Sequence, residues 1–326
     1  MDARYLGLLE QSIGQVDENE LAARATVIEG RALEKSTKAR YQSAISRLDR
    51  TCPGLLPVYS AEGVKKAFAS CMGLKAYQVG LLRGALMWWH HENGHPPPPV
   101  DNPELRLFWK GLNKSVSHVV KEKEVLTAAQ FRKVIEHWVK LGTRDALRNA
   151  AIATLAFYPA KRISEVLSLQ RADLRSEIKN QIEMLIVAIH RQKNDQRGRG
   201  KRCPLPMVMK AGEPVGQVVA KFLRSAPTEG PLFQTTKAYG NQWTGAAITR
   251  DAFQKALQKV VVAALPDISS KAYTTHSLWR SGFCTTKRVN ISYDLAVDIM
   301  GHNSTNAWLA YFPPSLPDIA DAIASI

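Results

Sequence analysis

The sequence is poor in cysteine and has no long uninterrupted apolar run. Its four cysteines, Cys52, Cys71, Cys203 and Cys284, do not stand at the short paired spacings of a disulfide framework or a zinc site. This scatter is typical of a protein in a reducing, intracellular compartment. No apolar run reaches the roughly 18 residues that a membrane-spanning helix needs, and no basic start precedes an apolar signal segment. We therefore expect no membrane partner and no secretion.

Acidic residues are also scarce relative to basic ones. The chain has 44 Lys and Arg against 29 Asp and Glu, which gives a formal net charge of +15 and a pI of about 9.7. Neutralisation of backbone phosphates by such charge supplies most of the affinity for nucleic acids. RNA or an anionic membrane surface would attract the same charge, so the composition favours a DNA partner without selecting it.

Apolar periodicity predicts a mainly helical protein of two domains. Residues 1–35 hold two short amphipathic stretches and are expected to form an N-terminal arm. A helical domain is expected over residues 36–116, followed by a charged linker over residues 117–126. The second domain, residues 127–326, is expected to be helical except for one small β segment at residues 181–206.

The first domain has a predicted start and a predicted apolar face. Ser36 or Thr37 is expected to cap its first helix, because a hydroxyl accepts a hydrogen bond from a free backbone N–H of the first turn. The apolar stripe of that helix consists of Tyr41, Ala44, Ile45 and Leu48. Further helices are expected at residues 60–70, 75–92 and 103–113.

An arginine and an acidic residue, Arg162 and Glu165, stand three apart in PAKRISEVLSL, residues 159–169. This spacing predicts that both lie on one face of a helix, with Ile163 and Val166 on its apolar side. Alone, the two residues would make an ordinary surface pair.

A basic run, HRQKNDQRGRGKRCPLP, follows the apolar segment MLIVAI and predicts a β-hairpin over residues 190–206. The turn of this hairpin is expected at residues 194–200. Lys193 precedes the turn, where it belongs either to an exposed charged tip or to a substrate-binding site.

Two later segments supply histidines and a tyrosine. TTHSLWRSGFCT contains His276, Trp279 and Arg280, and MGHNSTNAWLAYF contains His302 and, nine residues later, Tyr311. Each of these residues alone has a plainer interpretation, such as a helix cap, a loop histidine or a core aromatic. Their joint order after the upstream arginine and lysine argues against these separate interpretations.

These segments together resemble the signature boxes of the tyrosine recombinases (integrase family). The resemblance covers about residues 36–312 and is strongest from residue 159 onward. Its motifs are more similar to those of recombinases of mobile elements than to those of chromosome-dimer resolving recombinases. It implies a mainly α fold, with a helical core-binding domain and a mixed α/β catalytic domain that holds a small β-sheet. It also implies recombination or integration at a specific site in double-stranded DNA, through a 3′-phosphotyrosyl intermediate, by a tetramer on DNA.

The resemblance also implies a set of catalytic residues: Arg162, Glu165, Lys193, His276, Arg280 or the residue at position 279, His302 and the nucleophile Tyr311. Two guanidinium groups would donate bidentate hydrogen bonds to the non-bridging oxygens of the phosphate. The histidines would donate hydrogen bonds or move protons, and the lysine would protonate the leaving 5′ oxygen. The phenol would attack phosphorus once its proton is drawn off. No metal and no other cofactor is implied.

The chain departs from the family three residues after His276, where an arginine is expected. Trp279 stands there and Arg280 follows. Both positions lie on the same broad helical face as His276, so either Trp279 impairs the enzyme or Arg280 takes over. Two alternatives therefore stay open: a DNA-binding homologue that does not cleave, and a type IB topoisomerase-like relaxase with related chemistry.

The last residues of the chain form a separate short amphipathic stretch. Prolines after Tyr311 end any helix there, and residues 316–326 then carry an apolar stripe of Leu316, Ile319, Ala320 and Ile323. A helix this short needs a surface on which to bury its stripe. That surface is either its own domain or, as the resemblance implies, a neighbouring protomer.

Overall fold

A computed structural model of the chain describes residues 33–116, 124–190, 200–209, 212–269 and 273–288, without the side chains of residues 283 and 286–288. The chain forms two compact units, residues 1–121 and 122–326. Residues 1–32 of the predicted arm, residues 117–123 of the predicted linker and the C-terminal stripe lie outside the described residues. The predicted domain boundaries therefore stay predictions.

The described part of the first unit is helical. Its helices are α1 (Lys35–Thr51), α2 (Ala61–Ala69), α3 (Ala76–Glu92) and α4 (Arg106–Ser115), and one 3-10 turn, Pro103–Leu105, precedes α4. The predictions of helices at residues 60–70, 75–92 and 103–113 are confirmed to within a few residues.

The start of α1 differs from its prediction. Glu34 is the N-cap residue and makes no side-chain capping bond, so Ser36 and Thr37 lie inside the first turn and do not cap the helix. The predicted apolar stripe is confirmed: Ala44, Ile45 and Leu48 are buried, and Tyr41 is partly buried against them.

A buried histidine holds the first unit together at the end of α3. His90 is 1% exposed. The Val58 backbone N–H donates to its Nε2 at 3.0 Å, and its Nδ1 donates to the Pro96 carbonyl at 2.6 Å. One neutral tautomer satisfies both bonds, so this ring fastens the segment after α1 and the proline run to α3. Among the described residues, no group of three His, Cys, Asp or Glu side chains is placed to hold a metal ion.

The second unit is built around one fully enclosed helix. Its helices are α5 (Ala128–Leu141), α6 (Arg144–Phe157), α7 (Ile163–Leu167), α8 (Val215–Ser225), α9 (Arg250–Ala264) and α10 (Thr275–Arg288). Every residue of α6 from Ala146 to Phe157 is buried, and α6 packs against α5, α8 and α10. The many alanines of α6 permit this, because small side chains let neighbouring helices approach on several sides.

Two antiparallel sheets accompany the helices of the second unit. The first has the order β1 (Leu174–Lys179), β2 (Ile182–Ile189) and β3 (Lys201–Pro206), and the second pairs β4 (Gln234–Lys237) with β5 (Gln242–Ala247). In the first sheet Val187 faces Leu174 on one side and Cys203 on the other.

The prediction of a single β segment at residues 181–206 is therefore incomplete. Its two strands, β2 and β3, are present, but β1 and the β4–β5 pair were not predicted. In β1 only Leu174 is buried, β4 is polar (QTTK), and β5 (QWTGAA) has no buried residue. A strand without apolar alternation gives no periodic signal in the sequence. No described helix is long and apolar enough to cross a membrane.

Replacing His90 with phenylalanine is expected to destabilise the first unit by about 1–3 kcal/mol, because the buried Val58 N–H then lacks an acceptor. The free energy of unfolding from urea denaturation is the measurement. His91→Phe is the matched control, since His91 is exposed. Equal stability of the two variants would contradict the bridging role of His90.

Candidate active site

Arg162 enters the site from the start of α7. It is the N-cap residue, with extended backbone dihedrals (φ −66°, ψ 143°). The prediction that Arg162 and Glu165 both lie on one face of a helix is therefore wrong, because Arg162 lies just before the helix. The Arg162 backbone N–H donates to Glu165 Oε2 at 3.0 Å, and its Nη1 donates to Glu165 Oε1 at 3.1 Å. The buried Glu165 carboxylate thus both caps the helix and fixes the direction of the guanidinium. The apolar side was predicted correctly, since Ile163 and Val166 are buried.

The turn before Arg162 holds an unusual backbone and a buried lysine. Ala160 has φ of +47°, a left-handed conformation that costs a residue with a Cβ about 1–2 kcal/mol. Lys161 is 1% exposed. Burial lowers the pKa of its ammonium, while the Cys203 thiol and the Glu165 carboxylate oppose that effect. Lys161 therefore connects the turn to strand β3; it lies within PAKRISEVLSL, but the sequence predicted no role for it.

Helix α10 supplies the opposite wall of the site. His276 lies in its first turn and stacks on Trp279, with ring centroids 5.0 Å apart and an interplanar angle of 21°. The Arg162 guanidinium lies 6.0 Å from the centre of the Trp279 ring. Trp279 is 2% exposed, so its indole fills the space between the histidine and the arginine. The structure therefore brings four of the predicted site residues together: Arg162, Glu165, His276 and Trp279.

A glycine sets how closely α10 approaches α6. A Cβ added to Gly282 would overlap the carbonyl oxygen of Phe157 and lie 2.8 Å from its carbonyl carbon. Beside this crossing, the Leu126 N–H donates to Ser281 Oγ at 2.7 Å, and that hydroxyl donates to the Ser277 carbonyl at 2.6 Å. The chain continues from Phe157 directly into the turn that carries Arg162. The crossing therefore determines the distance between Arg162 and the His276–Trp279 pair.

Positive charge surrounds His276. His276 is exposed, but its partial desolvation still lowers the pKa of the imidazole. The charges of three arginines lower it further: Arg162, Arg250 and Arg280. A lowered pKa keeps the imidazole neutral at neutral pH, so it can accept a proton or donate one hydrogen bond. Arg280 is partly buried on α10, and Arg250, at the start of α9, was not predicted.

Several predicted site residues lie outside the described part of the chain: Lys193, His302 and Tyr311. The strands on both sides of the Lys193 segment are described, and β2 ends at Ile189 while β3 begins at Lys201. At the end of β2, His190 Nε2 lies 2.6 Å from Asp173 Oδ1. Asp173 is itself buried and accepts from the Gln170 N–H at 2.8 Å. This pairing anchors one base of the predicted hairpin.

Comparison with solved structures shows the fold. A complex of the Tn1549 transposon integrase with transposon right end DNA matches with a TM-score of 0.61 at 16% identity, covering 92% of this chain and 96% of that one. The XerH site-specific recombinase bound to its palindromic difH substrate matches with a TM-score of 0.57 at 14% identity, covering 89% and 78%. A lambda integrase dimer bound to a COC′ core site gives 0.56 at 13% identity, covering 95% and 81%.

The chain thus has the tyrosine recombinase fold, and the predicted fold class, mainly α with a small β-sheet in a mixed α/β second domain, is confirmed. No family model and no curated protein sequence matches the chain.

Gly282→Ala is expected to destabilise the second unit by about 1–3 kcal/mol, because the new methyl group forces α10 away from Phe157. Thermal unfolding measures this loss. Gly80→Ala in α3 is the matched control: nothing lies within 4 Å of its added Cβ, so the substitution is expected to stabilise by about 0.5–1 kcal/mol. A neutral Gly282→Ala variant would show that the crossing is not tight.

Proposed function

We propose that this chain is a site-specific DNA recombinase that cleaves and rejoins double-stranded DNA through a 3′-phosphotyrosyl intermediate. The observation that carries the proposal is the grouping of Arg162, Glu165, His276 and Trp279 on a tyrosine recombinase fold. The solved structures that share this fold include complexes of a transposon integrase with a circular intermediate DNA and of a recombinase with its DNA site.

Arg162 is the proposed phosphate-binding arginine of the site. Its guanidinium is held by Glu165 through one terminal nitrogen, and its side chain is 26% exposed. An arginine does not lose its charge at any working pH. It therefore offers fixed positive charge to the non-bridging oxygens, where negative charge grows as the phosphorane forms.

The bond changes follow from the residues assigned by resemblance. The Tyr311 oxygen attacks phosphorus, the bond from phosphorus to the 5′ oxygen breaks, and Lys193 gives its proton to that oxygen. His276 and His302 accept the phenol proton or donate hydrogen bonds to the phosphate. Because the new phosphotyrosyl ester keeps the energy of the broken bond, attack by another 5′ hydroxyl reseals the strand without an external energy source.

The first unit is the proposed core-binding domain. Exposed lysines and arginines lie on its helices or at their starts, among them Lys35, Arg40, Arg50, Lys75, Arg106 and Lys110. Such charge would neutralise the backbone phosphates of a bound duplex. A tetramer on DNA, in which residues 316–326 of one protomer pack on the next, completes the proposal and rests on the family resemblance alone.

A second candidate function is supported by Trp279. Its indole is buried in the place where the family has an arginine, so one transition-state donor is missing from that position. A homologue that binds and pairs DNA sites without cleaving them fits this observation. A relaxase of the type IB topoisomerase kind would differ by relaxing plasmids that carry no specific site.

Tyr311→Phe is expected to abolish covalent protein–DNA adducts while folding and DNA affinity are kept, because only the hydroxyl is removed. The assay uses a duplex selected by the chain from a random DNA pool, with a nick placed beside each candidate scissile bond so that cleaved ends diffuse away. Tyr239→Phe is the matched control, since Tyr239 is fully exposed. Adducts that persist in Tyr311→Phe would exclude this tyrosine as the nucleophile.

Trp279→Arg is expected to speed cleavage, because the site regains one transition-state donor. The expected decrease in the activation free energy is up to about 2–4 kcal/mol. The rate of adduct formation at saturating protein is the measurement, with thermal unfolding as the check that the buried substitution still folds. A flat response to Trp279→Arg, together with loss of cleavage in Arg280→Ala, would identify Arg280 as the working residue instead.

A further inference from the structure

The site lacks an arginine at position 279, so a second guanidinium for the phosphate has to come from a neighbouring position: Arg280 on the same helix, or a residue of another element that reaches the site. Helix α9 begins beside the site. Its first residue, Arg250, is exposed and lies near enough to His276 for its charge to act on the imidazole. This residue belongs to none of the motifs in the sequence.

The Arg250 side chain is anchored at one point. Its Nε donates to Thr275 Oγ1 at 3.2 Å, and Thr275 is 1% exposed. The Thr275 N–H in turn donates to Gln254 Oε1 at 2.6 Å. Because Gln254 lies one turn after Arg250 on α9, the anchor ties the start of α9 to the start of α10, directly before His276.

The two terminal nitrogens of Arg250 remain available to a ligand. Within the described part of the chain, neither of them has a hydrogen-bond or ion-pair partner. A guanidinium held through Nε presents Nη1 and Nη2 as a fork, which is the geometry that binds two oxygens of a phosphate. Fixing the fork in advance reduces the side-chain entropy that is lost when the anion binds.

The placement of Arg250 is unfavourable for the fold. It is the first residue of α9, where the aligned peptide dipoles make the potential positive, so a cation there costs free energy and an anion gains it. The N-cap Thr249 already accepts the Ala252 N–H at 3.1 Å, so Arg250 is not needed to complete the helix start. An anion bound at this position would offset that cost.

We propose that Arg250 binds a non-bridging oxygen of the scissile phosphate and takes the place of the arginine that is absent from position 279. The proposal rests on the proposed function for the identity of the phosphate. It assigns to this chain a site assembled from α7, α9 and α10, in which the second guanidinium comes from α9.

The first test is single-turnover adduct formation by Arg250→Ala on the nicked duplex described above. A rate about 10²–10³-fold below that of the unaltered chain is expected, the usual effect of losing one oxyanion donor. Arg224→Ala is the matched control, because Arg224 is also exposed and lies on α8. A rate for Arg250→Ala within threefold of the unaltered chain would overturn the proposal.

Two further measurements separate a phosphate contact from a structural effect. A scissile methylphosphonate carries no charge, so the difference between Arg250→Ala and the unaltered chain should shrink by at least tenfold on that substrate; an undiminished difference would overturn the proposal. Trp279→Arg should raise cleavage by a larger factor in the Arg250→Ala background than in the unaltered chain. Equal factors would show that the two positions do not substitute for each other.

A DNA-free measurement separates this proposal from the proposed function. If the unaltered chain forms no adduct, the proposed cleavage activity is wrong, and the binding of inorganic phosphate then decides the role of Arg250. The His276 imidazole signal, assigned by comparison with His276→Gln, reports that binding by NMR. A phosphate Kd at least fivefold weaker in Arg250→Ala and unchanged in Arg224→Ala supports the contact, whereas equal Kd values for all three proteins overturn it.

Discussion

The crossing of α10 over the end of α6 is the constraint on which the candidate site depends. Gly282 permits the contact, because any larger residue would overlap the Phe157 carbonyl. At the preceding residue, the Ser281 hydroxyl ties Leu126 to Ser277, so α10 is held by a hydrogen bond as well as by packing. Since protein interiors are close-packed and yield little, a small shift of α10 would move the His276–Trp279 pair relative to Arg162. The chemistry of the site is therefore determined by a backbone contact that contains none of the reacting groups.

Electrostatics sets the second constraint. Arg162, Arg250 and Arg280 all act on one imidazole, and Glu165 makes the ion pair with Arg162. A concentration of like charge destabilises a fold but attracts and holds a polyanion. Phosphate binding would relieve this repulsion, so the same charges that weaken the free protein strengthen the complex. Functional sites commonly carry such a cost in stability.

The sequence predicted the elements that have a periodic apolar pattern or a family motif. Helices α2 and α3 could be located from their apolar residues, and the segments of α7 and α10 from their family motifs. Strand β1 could not, because its sequence LRSEIK buries only Leu174. The helical face predicted for Arg162 and Glu165 was wrong because spacing alone does not show where a helix begins; the Glu165 carboxylate accepts the Arg162 N–H and starts the helix there. Lys161 and Arg250 gave no signal, because each is a single residue whose role depends on long-range contacts.

Trp279 shows why a chain with this fold tolerates the loss of an arginine. The indole packs against His276 and lies beside the Arg162 guanidinium, and a cation beside an indole is stabilised by about 0.5–1 kcal/mol or more. An arginine in the same buried place would bring a further positive charge close to Arg162 and His276 and would have to be desolvated. The indole removes that repulsion and keeps the wall of the site rigid. What it cannot do is neutralise phosphate charge, so any cleavage by this chain requires a cation from a neighbouring position; Arg280 on the same helix and Arg250 at the exposed start of α9 are the two arginines near His276 that could supply it.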